Sequence, residues 1–342
     1  MSYIMTVNGP IEPESLGATL IHEHLHMDVT PVLREHGYKA EHSGEFDCCV
    51  AAEARWNPGY NIKNYQMTDV EMIIDELQEY VACGGSGIVD ATPRDLGRNP
   101  SALKRIADAT GLHIIMGSGY YLEATHKRHI ADWPESRITE SLIEEVNSGA
   151  DGTGIKPGLL GEIGTNCPVT ESELAVVRAT AHAALQTGLT ISVHLHPWGW
   201  EGRRVLDVLL GEGLPPEQIL LNHLNTAVGD DAYQRHLLDK GVFLSYDLMG
   251  FDHSLLDAGR YPPSDDTVCE KIVVLAKTGY RDQILVSHDI GVRTRLRRYG
   301  SWGYSHIHRH VVPLLTAKGL DDTDVRVILE ENPRRVLTVK LK

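Results

Sequence analysis

The sequence lacks the features that mark secreted, membrane-bound or nucleic-acid-binding proteins. Its five cysteines have no CxxC spacing, and an odd, unpatterned set indicates reduced thiols. No apolar run approaches the ~20 residues of a membrane helix. The N-terminal region also lacks the basic segment and following apolar run that are typical of a signal peptide. The net charge of −15 opposes non-specific attraction to DNA, RNA or anionic lipid. We expect a cytoplasmic protein that binds a small molecule, with no nucleic-acid or membrane partner.

Internal repeats and low-complexity tracts are also missing, but a regular alternation of patterns is present. Short apolar runs alternate with longer helical patterns, which predicts βαβ units and a parallel sheet. The runs cover residues 17–24, 86–92, 112–119, 156–164, 189–196, 218–224, 241–248 and 283–290. Eight such runs predict a (β/α)₈ TIM barrel, formed by residues 1–342 as a single domain. A doubly wound open sheet is the alternative, weakened because no GxGxxG follows the first run.

Turn and capping residues add detail to this prediction. Asn8-Gly9 favours a tight turn and predicts a short N-terminal β-hairpin. The stretch "TESELAVVRATAHAALQTG" begins with a capping box, Thr170 and Glu173, and ends with glycine, as a capped helix does. Residues 29–66 show no clear pattern, and we expect an insertion or lid loop at the catalytic face.

Polar side chains recur at the carboxyl ends of the predicted strands. In a parallel barrel all these ends meet at one rim, where active sites lie. Alternate strand residues share a face, so the two histidines of "HEH" can point to the same place. Histidine and carboxylate together are the ligands that Zn²⁺ and similar ions use. The candidates are His22, His24, Glu162, His194, His223 and Asp289.

Six ligands exceed the need of one tetrahedral ion and suit two ions with a bridging carboxylate. Any single histidine in a strand is more often a core or surface residue than a ligand. The joint pattern, with every candidate at a strand end, is what favours the metal site. Zn²⁺ is the expected ion, and Mn²⁺, Co²⁺ and Fe²⁺ are alternatives.

At these residues the sequence resembles the phosphotriesterase-like family of the amidohydrolase superfamily, and most closely its phosphotriesterase-related subgroup. The resemblance runs nearly from end to end, through "TVNGPIEPESLGATLIHEHL", "GIVDATPRDLGRNP", "GIKPGLLGEIGT", "VHLHP", "LLNHLN", "ILVSHDI" and "ENPRRVL". It implies a metal-dependent hydrolase on a (β/α)₈ barrel and, as often in this family, a homodimer. The subgroup includes N-acyltaurine-type amide hydrolases.

The resemblance also divides the ligands between the ions. His22, His24 and Asp289 would bind the more buried ion, and His194 and His223 the other. The founding members bridge the ions with a carboxylated lysine. Here we assign the bridge to Glu162, because Lys156 lies at the start of its strand, away from the rim.

The implied mechanism is attack by a metal-bridging hydroxide on the carbonyl of a small amide, ester or lactone. Asp289 would act as the catalytic residue that carries the proton to the leaving group. Leu248 stands where phosphotriesterases have a histidine and many lactonases an arginine. This favours an amide or ester over a lactone. A lactonase with promiscuous phosphotriesterase activity, a non-catalytic ligand-binding barrel and a single-ion deaminase are the alternatives.

Four residues are candidates for binding the substrate. Tyr121 matches a tyrosine that lines the lactonase pocket near the metals. His196 and Trp198 lie in the loop after the fifth strand, where aromatic rings can form a pocket wall. Arg293 could clamp an anionic group, although arginines of an acidic protein are as often paired at the surface. His26 continues the alternation but is expected to be a neighbour of the site and not a ligand.

Overall fold

The computed structural model describes residues 2–35, 37–127, 129–254 and 260–339. Eight parallel strands lie side by side in chain order, each followed by helical segments. All eight predicted strands are present, so the (β/α)₈ barrel is confirmed. The strands are β1 (Ile4–Thr6), β2 (Gly9–Ile11), β3 (Thr19–Glu23), β4 (Met27–Asp28), β5 (Gln66–Met67), β6 (Gly87–Asp90), β7 (His113–Ser118), β8 (Leu159–Thr165), β9 (Ile191–Leu195), β10 (Ile219–Leu221), β11 (Phe243–Tyr246) and β12 (Ile284–Val286).

The barrel itself consists of β3 and β6–β12, and it closes where β3 meets β12. At this seam the backbone N–H of Asp289 donates to the carbonyl of His22 at 3.1 Å. The buried carboxylate of Glu23 accepts from the Ser287 hydroxyl at 2.7 Å and from the backbone N–H groups of His288 and Ile290 at 2.8 and 3.0 Å. A side chain of the first barrel strand therefore ties down the segment that follows the last one.

The helices surround the barrel and begin where capping residues predict. Thr170 and Glu173 form the predicted capping box, and Asp69 caps α3. The helices are α1 (Thr30–Glu35), α2 (Cys48–Trp56), α3 (Val70–Ala82), α4 (Pro100–Thr110), α5 (Glu123–His126), α6 (Glu135–Ser148), α7 (Glu171–Thr187), α8 (Gly202–Gly211), α9 (Asp231–Leu238), α10 (Asp265–Leu275), α11 (Val312–Ala317), α12 (Asp322–Arg326) and α13 (Asn332–Leu337). In the described part of the chain, no helix combines the length and apolarity needed to cross a membrane.

The N-terminal hairpin is present, with β1 paired antiparallel to β2. The segment between the first barrel strand and its helix has more structure than its sequence predicted. It contains α1, α2 and a two-stranded sheet of β4 and β5. Asp47 caps α2, and the helix buries Val50, Ala51 and Ala54. Such short elements depend on tertiary packing, which explains why no periodic pattern predicted them.

The barrel interior is apolar where the strands begin. Side chains from seven barrel strands form one buried cluster there, closed from below by Ile4, Leu16, Val336 and Leu337. A second, larger cluster fills the layer between the strands and the helices. The interior strand residues are Ile21, Val89, Ile115, Leu159, Leu220, Phe243 and Leu285. The polar side chains lie above this layer, at the carboxyl ends of the strands.

A cleft of about 640 Å³ opens at the opposite end of the barrel, and its lining residues include Glu14, Phe243 and Arg334. The residues that line it in the described part of the chain include none of the predicted ligands. It is therefore separate from the polar cluster.

Candidate metal centre

All six predicted ligands come together at the carboxyl ends of the strands. His22 lies in β3, and His24 is the first residue after this strand. Glu162 lies in β8 and His194 in β9. His223 and Asp289 follow β10 and β12. Lys156 precedes β8 and lines a pocket with Tyr3 and Met5, so it lies at the other end of the barrel as predicted.

Glu162 stands between two groups of histidines. One carboxylate oxygen, Oε1, lies 3.6 Å from His24 Nε2, and the other, Oε2, lies 3.7 Å from His22 Nε2 and 3.2 Å from His194 Nδ1. Burial by itself would raise the pKa of Glu162, but contact with His194 and the charge of His22 lower it below its usual value. The carboxylate is therefore ionised and placed where a bridging ligand is expected.

Asp289 completes the group around the first strand. Its Oδ1 lies 3.1 Å from His24 Nε2 and 3.6 Å from His22 Nε2. Burial opposes ionisation, but His24, His22 and His223 hold the pKa of Asp289 well below its usual range. Burial would conversely lower the pKa of His24, but the two carboxylates raise it to about 9. The cluster attracts positive charge, and a metal ion would compete with these protons.

His194 and His223 face each other on the other side of Glu162. Their Nδ1 and Nε2 atoms, respectively, lie 2.8 Å apart. The Tyr121 hydroxyl lies 3.5 Å from both ring nitrogens of His194. Burial raises the pKa of this hydroxyl well above 10, and the charges of Glu162 and Asp289 raise it further. Tyr121 is therefore a protonated donor beside the centre.

The donor set suits divalent ions. The ligand atoms of His22, His24 and Asp289 lie within 4.8 Å of one another, and so do those of His22, Glu162 and His223. Among the described residues, Nδ1 and Nε2 of His22 and Oε2 of Glu162 are buried without a hydrogen-bond partner. Buried polar atoms are rarely left unpaired, and a bound ion satisfies such atoms. The residues present therefore fit metal ions.

Two of the ligands also have an unusual backbone. His223 and Asp289 have φ values of 65° and 57°, in the left-handed region that residues other than glycine rarely adopt. Such a conformation costs on the order of 1–3 kcal/mol and is found most often at functional sites. The fold maintains the strain at these two strand ends, where it aims the side chains at the cluster.

Three polar residues that support the ligands were not among the predicted site residues. Asp247 Oδ1 accepts from the backbone N–H and Nδ1 of His223, both at 2.9 Å. Thr92 Oγ1 lies 2.9 Å from Nδ1 of His24, and Asp90 accepts from the Thr92 backbone N–H at 3.1 Å. These contacts orient the rings so that Nε2 faces the centre. The sequence pattern that predicted the ligands also applies to these residues, because "VDAT" and "SYD" place polar residues at strand ends.

The predicted pocket residues occupy different surroundings. His196 accepts from the backbone N–H of Trp198 at 3.2 Å, in the loop that follows β9. Arg293 Nε donates to the carbonyl of Gln66 at 2.8 Å, so this nitrogen supports β5. His26 Nδ1 lies 3.1 Å from a backbone carbonyl and is not in either candidate ligand group. Their roles toward a substrate remain predictions.

The fold and the cluster together define a (β/α)₈ barrel with a candidate metal centre at its catalytic rim. A family model described as the phosphotriesterase family matches residues 2–337. An N-acetyltaurine hydrolase of Danio rerio is 36% identical over 348 residues, which cover 98% of each chain. The chain belongs to the phosphotriesterase family and is a hydrolase of that family.

Two solved structures extend the comparison. A resiniferatoxin-binding protein from Rhodobacter sphaeroides has 38% identity and a TM-score of 0.92, covering 98% of this chain and 94% of that one. A lactonase from Listeria monocytogenes has 26% identity and a TM-score of 0.83, covering 99% of this chain and all of that one. Proteins of closely similar fold thus carry names from different functional classes, so substrate must be argued from the site.

Proposed function

We propose that this chain is a binuclear metal-dependent hydrolase that cleaves a small amide, with an ester or lactone as the alternative substrate. The observation that carries the proposal is the position of Glu162. Its two oxygens face different histidines, at 3.6 Å from His24 and 3.2 Å from His194. A single carboxylate between two ligand groups can bind two neighbouring ions at once, as two-metal sites allow.

The ligands divide between the two ions as follows. We assign His22, His24 and Asp289 to the more buried ion, His194 and His223 to the other, and Glu162 to both. When bound, such ions lower the pKa of a water molecule toward neutrality and polarise a carbonyl group. Zn²⁺ is the proposed ion because the donors are imidazole and carboxylate, and Mn²⁺, Co²⁺ and Fe²⁺ suit the same donors.

Asp289 and Tyr121 would handle the proton and the developing charge. The Asp289 side chain is 22% exposed, whereas that of Glu162 is 2% exposed, so Asp289 is accessible from the open side. Because Asp289 is ionised, it can accept a proton from the attacking water and pass it to the leaving nitrogen. The Tyr121 hydroxyl can donate a hydrogen bond to the carbonyl oxygen as negative charge develops there.

An amide substrate is favoured by the relatives. The chain is 34% identical over 359 residues to a Homo sapiens protein named N-acetyltaurine hydrolase. Its named substrate is a small amide that carries a sulfonate. Leu248 occupies the position where many lactonases have an arginine, and it is buried here. We therefore place N-acylated amino acids and aminosulfonates before lactones as candidate substrates.

A binding protein is the second candidate, because a neighbour of high structural similarity is named for toxin binding. A site used only for binding has no need of a base that can accept a proton from water. Asp289 is ionised and partly exposed beside the cluster, which favours catalysis.

The test combines metal analysis with turnover. We expect purified protein to hold two divalent ions per chain and to hydrolyse N-acetyltaurine or another amide in a panel with nitrophenyl acetate and lactones. Glu162→Gln should lower both metal content and activity, whereas Glu12→Gln, at an exposed position, should change neither. Full metal content and full activity in Glu162→Gln would overturn the assignment. Binding of panel members without turnover, with or without chelator, would support the binding protein.

A further inference from the structure

The loop after β9 connects the candidate centre with an exposed arginine. His194 lies in β9, and Trp198 follows it by four residues. The Arg260 guanidinium lies over the Trp198 ring, 5.9 Å from its centroid. The loop is pinned to the other ligand segment, because the Thr226 hydroxyl donates to the Pro197 carbonyl. Arg260 therefore stands on a wall that is built from the segments holding His194 and His223.

Contacts within the loop hold Trp198 close to the end of β9. The His196 imidazole accepts from the backbone N–H of Trp198 at 3.2 Å. The Trp198 indole Nε1 is buried and has no hydrogen-bond partner among the described residues. The wall offers a cation, and an indole donor without a protein acceptor lies beside it.

Several other arginines near the rim have acceptors within the protein. Arg293 donates to the Gln66 carbonyl, and Nη2 of the buried Arg295 donates to the Met249 carbonyl, while its Nε and Nη1 have no hydrogen-bond partner among the described residues. Arg204 pairs with Glu171, and Arg55 donates to backbone carbonyls. Within the described ranges, no carboxylate lies within ion-pair distance of Arg260. In a chain of net charge −15, an exposed guanidinium without such a partner is a local attraction for an anionic ligand.

We propose that Arg260, which lies over the Trp198 ring, binds the anionic end of the substrate and makes the enzyme selective for amides whose leaving amine carries a sulfonate or carboxylate. This inference rests on the proposed function and narrows it. The planar guanidinium can form paired hydrogen bonds with two oxygens of such a group. The attraction between the Trp198 ring and the guanidinium restricts the arginine side chain and reduces the entropy lost on binding.

The experiment compares two amides of nearly equal shape. N-acetyltaurine carries a sulfonate, and N-[2-(methylsulfonyl)ethyl]acetamide replaces one charged oxygen with a methyl group. Arg260→Gln should lower kcat/KM for the sulfonate about 10- to 100-fold, the range expected for charge-assisted hydrogen bonds, mainly through KM. It should change kcat/KM for the neutral sulfone less than about threefold, because the neutral sulfone forms no ion pair with Arg260. Arg260→Lys should retain part of the preference for the sulfonate over the sulfone, since lysine keeps the positive charge but lacks the paired N–H donors of a guanidinium.

Arg137 provides a matched control. Its guanidinium lies 5.1 Å from the centroid of Trp133, as Arg260 lies over Trp198, but it also pairs with Glu144 at 3.0 Å. Arg137→Gln should leave both substrates unchanged. If Arg260→Gln lowers kcat/KM equally for both amides, or lowers it for neither, the inference is overturned and the role of Arg260 is limited to packing.

A binding measurement separates this inference from the proposed function. Calorimetric titration of the metal-loaded protein with N-acetyltaurine tests recognition without turnover. If the wild type cleaves neither amide but binds N-acetyltaurine, and Arg260→Gln weakens that binding at least tenfold, the proposed hydrolysis fails and the anion site stands. If the wild type cleaves amides but has no preference for the sulfonate over the sulfone, the anion site fails and the hydrolase stands.

Discussion

Replacing Glu23 with glutamine should destabilise the barrel at its seam. The carboxylate is fully buried, with Oε1 accepting three hydrogen bonds, from the Ser287 hydroxyl and from the backbone N–H and Nδ1 of His288, at 2.7–2.8 Å. Oε2 accepts one from Ile290 at 3.0 Å. His288 Nε2 accepts from a backbone N–H at 3.2 Å, so Nδ1 is the protonated nitrogen that donates to Glu23.

The magnitude follows from counting donors. If the glutamine carbonyl takes the place of Oε1, its NH₂ group faces the Ile290 N–H and leaves a buried donor without an acceptor, at a cost of about 1–3 kcal/mol. The opposite orientation faces the NH₂ toward two N–H donors of His288 and is worse. Losing the charge weakens the remaining bonds by about 1 kcal/mol more. We expect Glu23→Gln to lower the free energy of unfolding by about 2–4 kcal/mol.

The assay is urea unfolding followed by circular dichroism, with Glu14→Gln as the control at an exposed position. Burial would raise the pKa of Glu23, but His288 and the hydrogen bonds lower it overall. A carboxyl with a lowered folded-state pKa contributes stability above its unfolded pKa of about 4.3 and loses it as the pH falls through the folded value. The difference from wild type should therefore be full at pH 7 and shrink below about pH 4. A difference within about 0.5 kcal/mol at pH 7, the range of neutral surface changes, would refute the reasoning.

Three other substitutions test the supporting contacts. Asp247→Asn should lower metal affinity or activity about 10- to 100-fold, because His223 loses the carboxylate that fixes its tautomer; metal titration checks this, and unchanged affinity would contradict it. His26→Ala removes a hydrogen bond to a backbone carbonyl, but His26 is not a predicted ligand, so the metal content should stay at the wild-type level. Alanine at either histidine of the "HEH" pair should instead remove metal. Mass spectrometry of the native protein distinguishes the two results. Glu145→Gln should cost about 1–3 kcal/mol at pH 7, because Arg98, whose side chain is 1% exposed, loses a charged partner. Burial raises and Arg98 lowers the pKa of Glu145, with a net lowering. The cost should therefore shrink as the pH falls below about 4, and a cost in urea unfolding that does not change with pH would contradict this reasoning.

Local sequence patterns were sufficient to predict the class of fold and the polar residues that meet at the barrel rim. Alternating strand and helix patterns are a local property, and parallel strands must then meet at one rim, so polar residues at their ends converge. That is why the sequence pattern alone places His22, Glu162 and Asp289 together. The short helices between β3 and α3 could not be predicted in this way, because their stability comes from contacts with distant residues.

The directions of the side chains along a strand depend on contacts between strands. Ile21 belongs to the barrel interior and His22, the next residue, belongs to the polar cluster, which simple strand alternation does not allow. The pairing of β3 with β6 shifts by one residue between Leu20 and Glu23, and that of β8 with β9 shifts between Leu160 and Ile163. Such an irregularity adds a residue and turns the following side chains to the other face. It arises from pairing with a neighbouring strand, so no pattern along one strand reveals it.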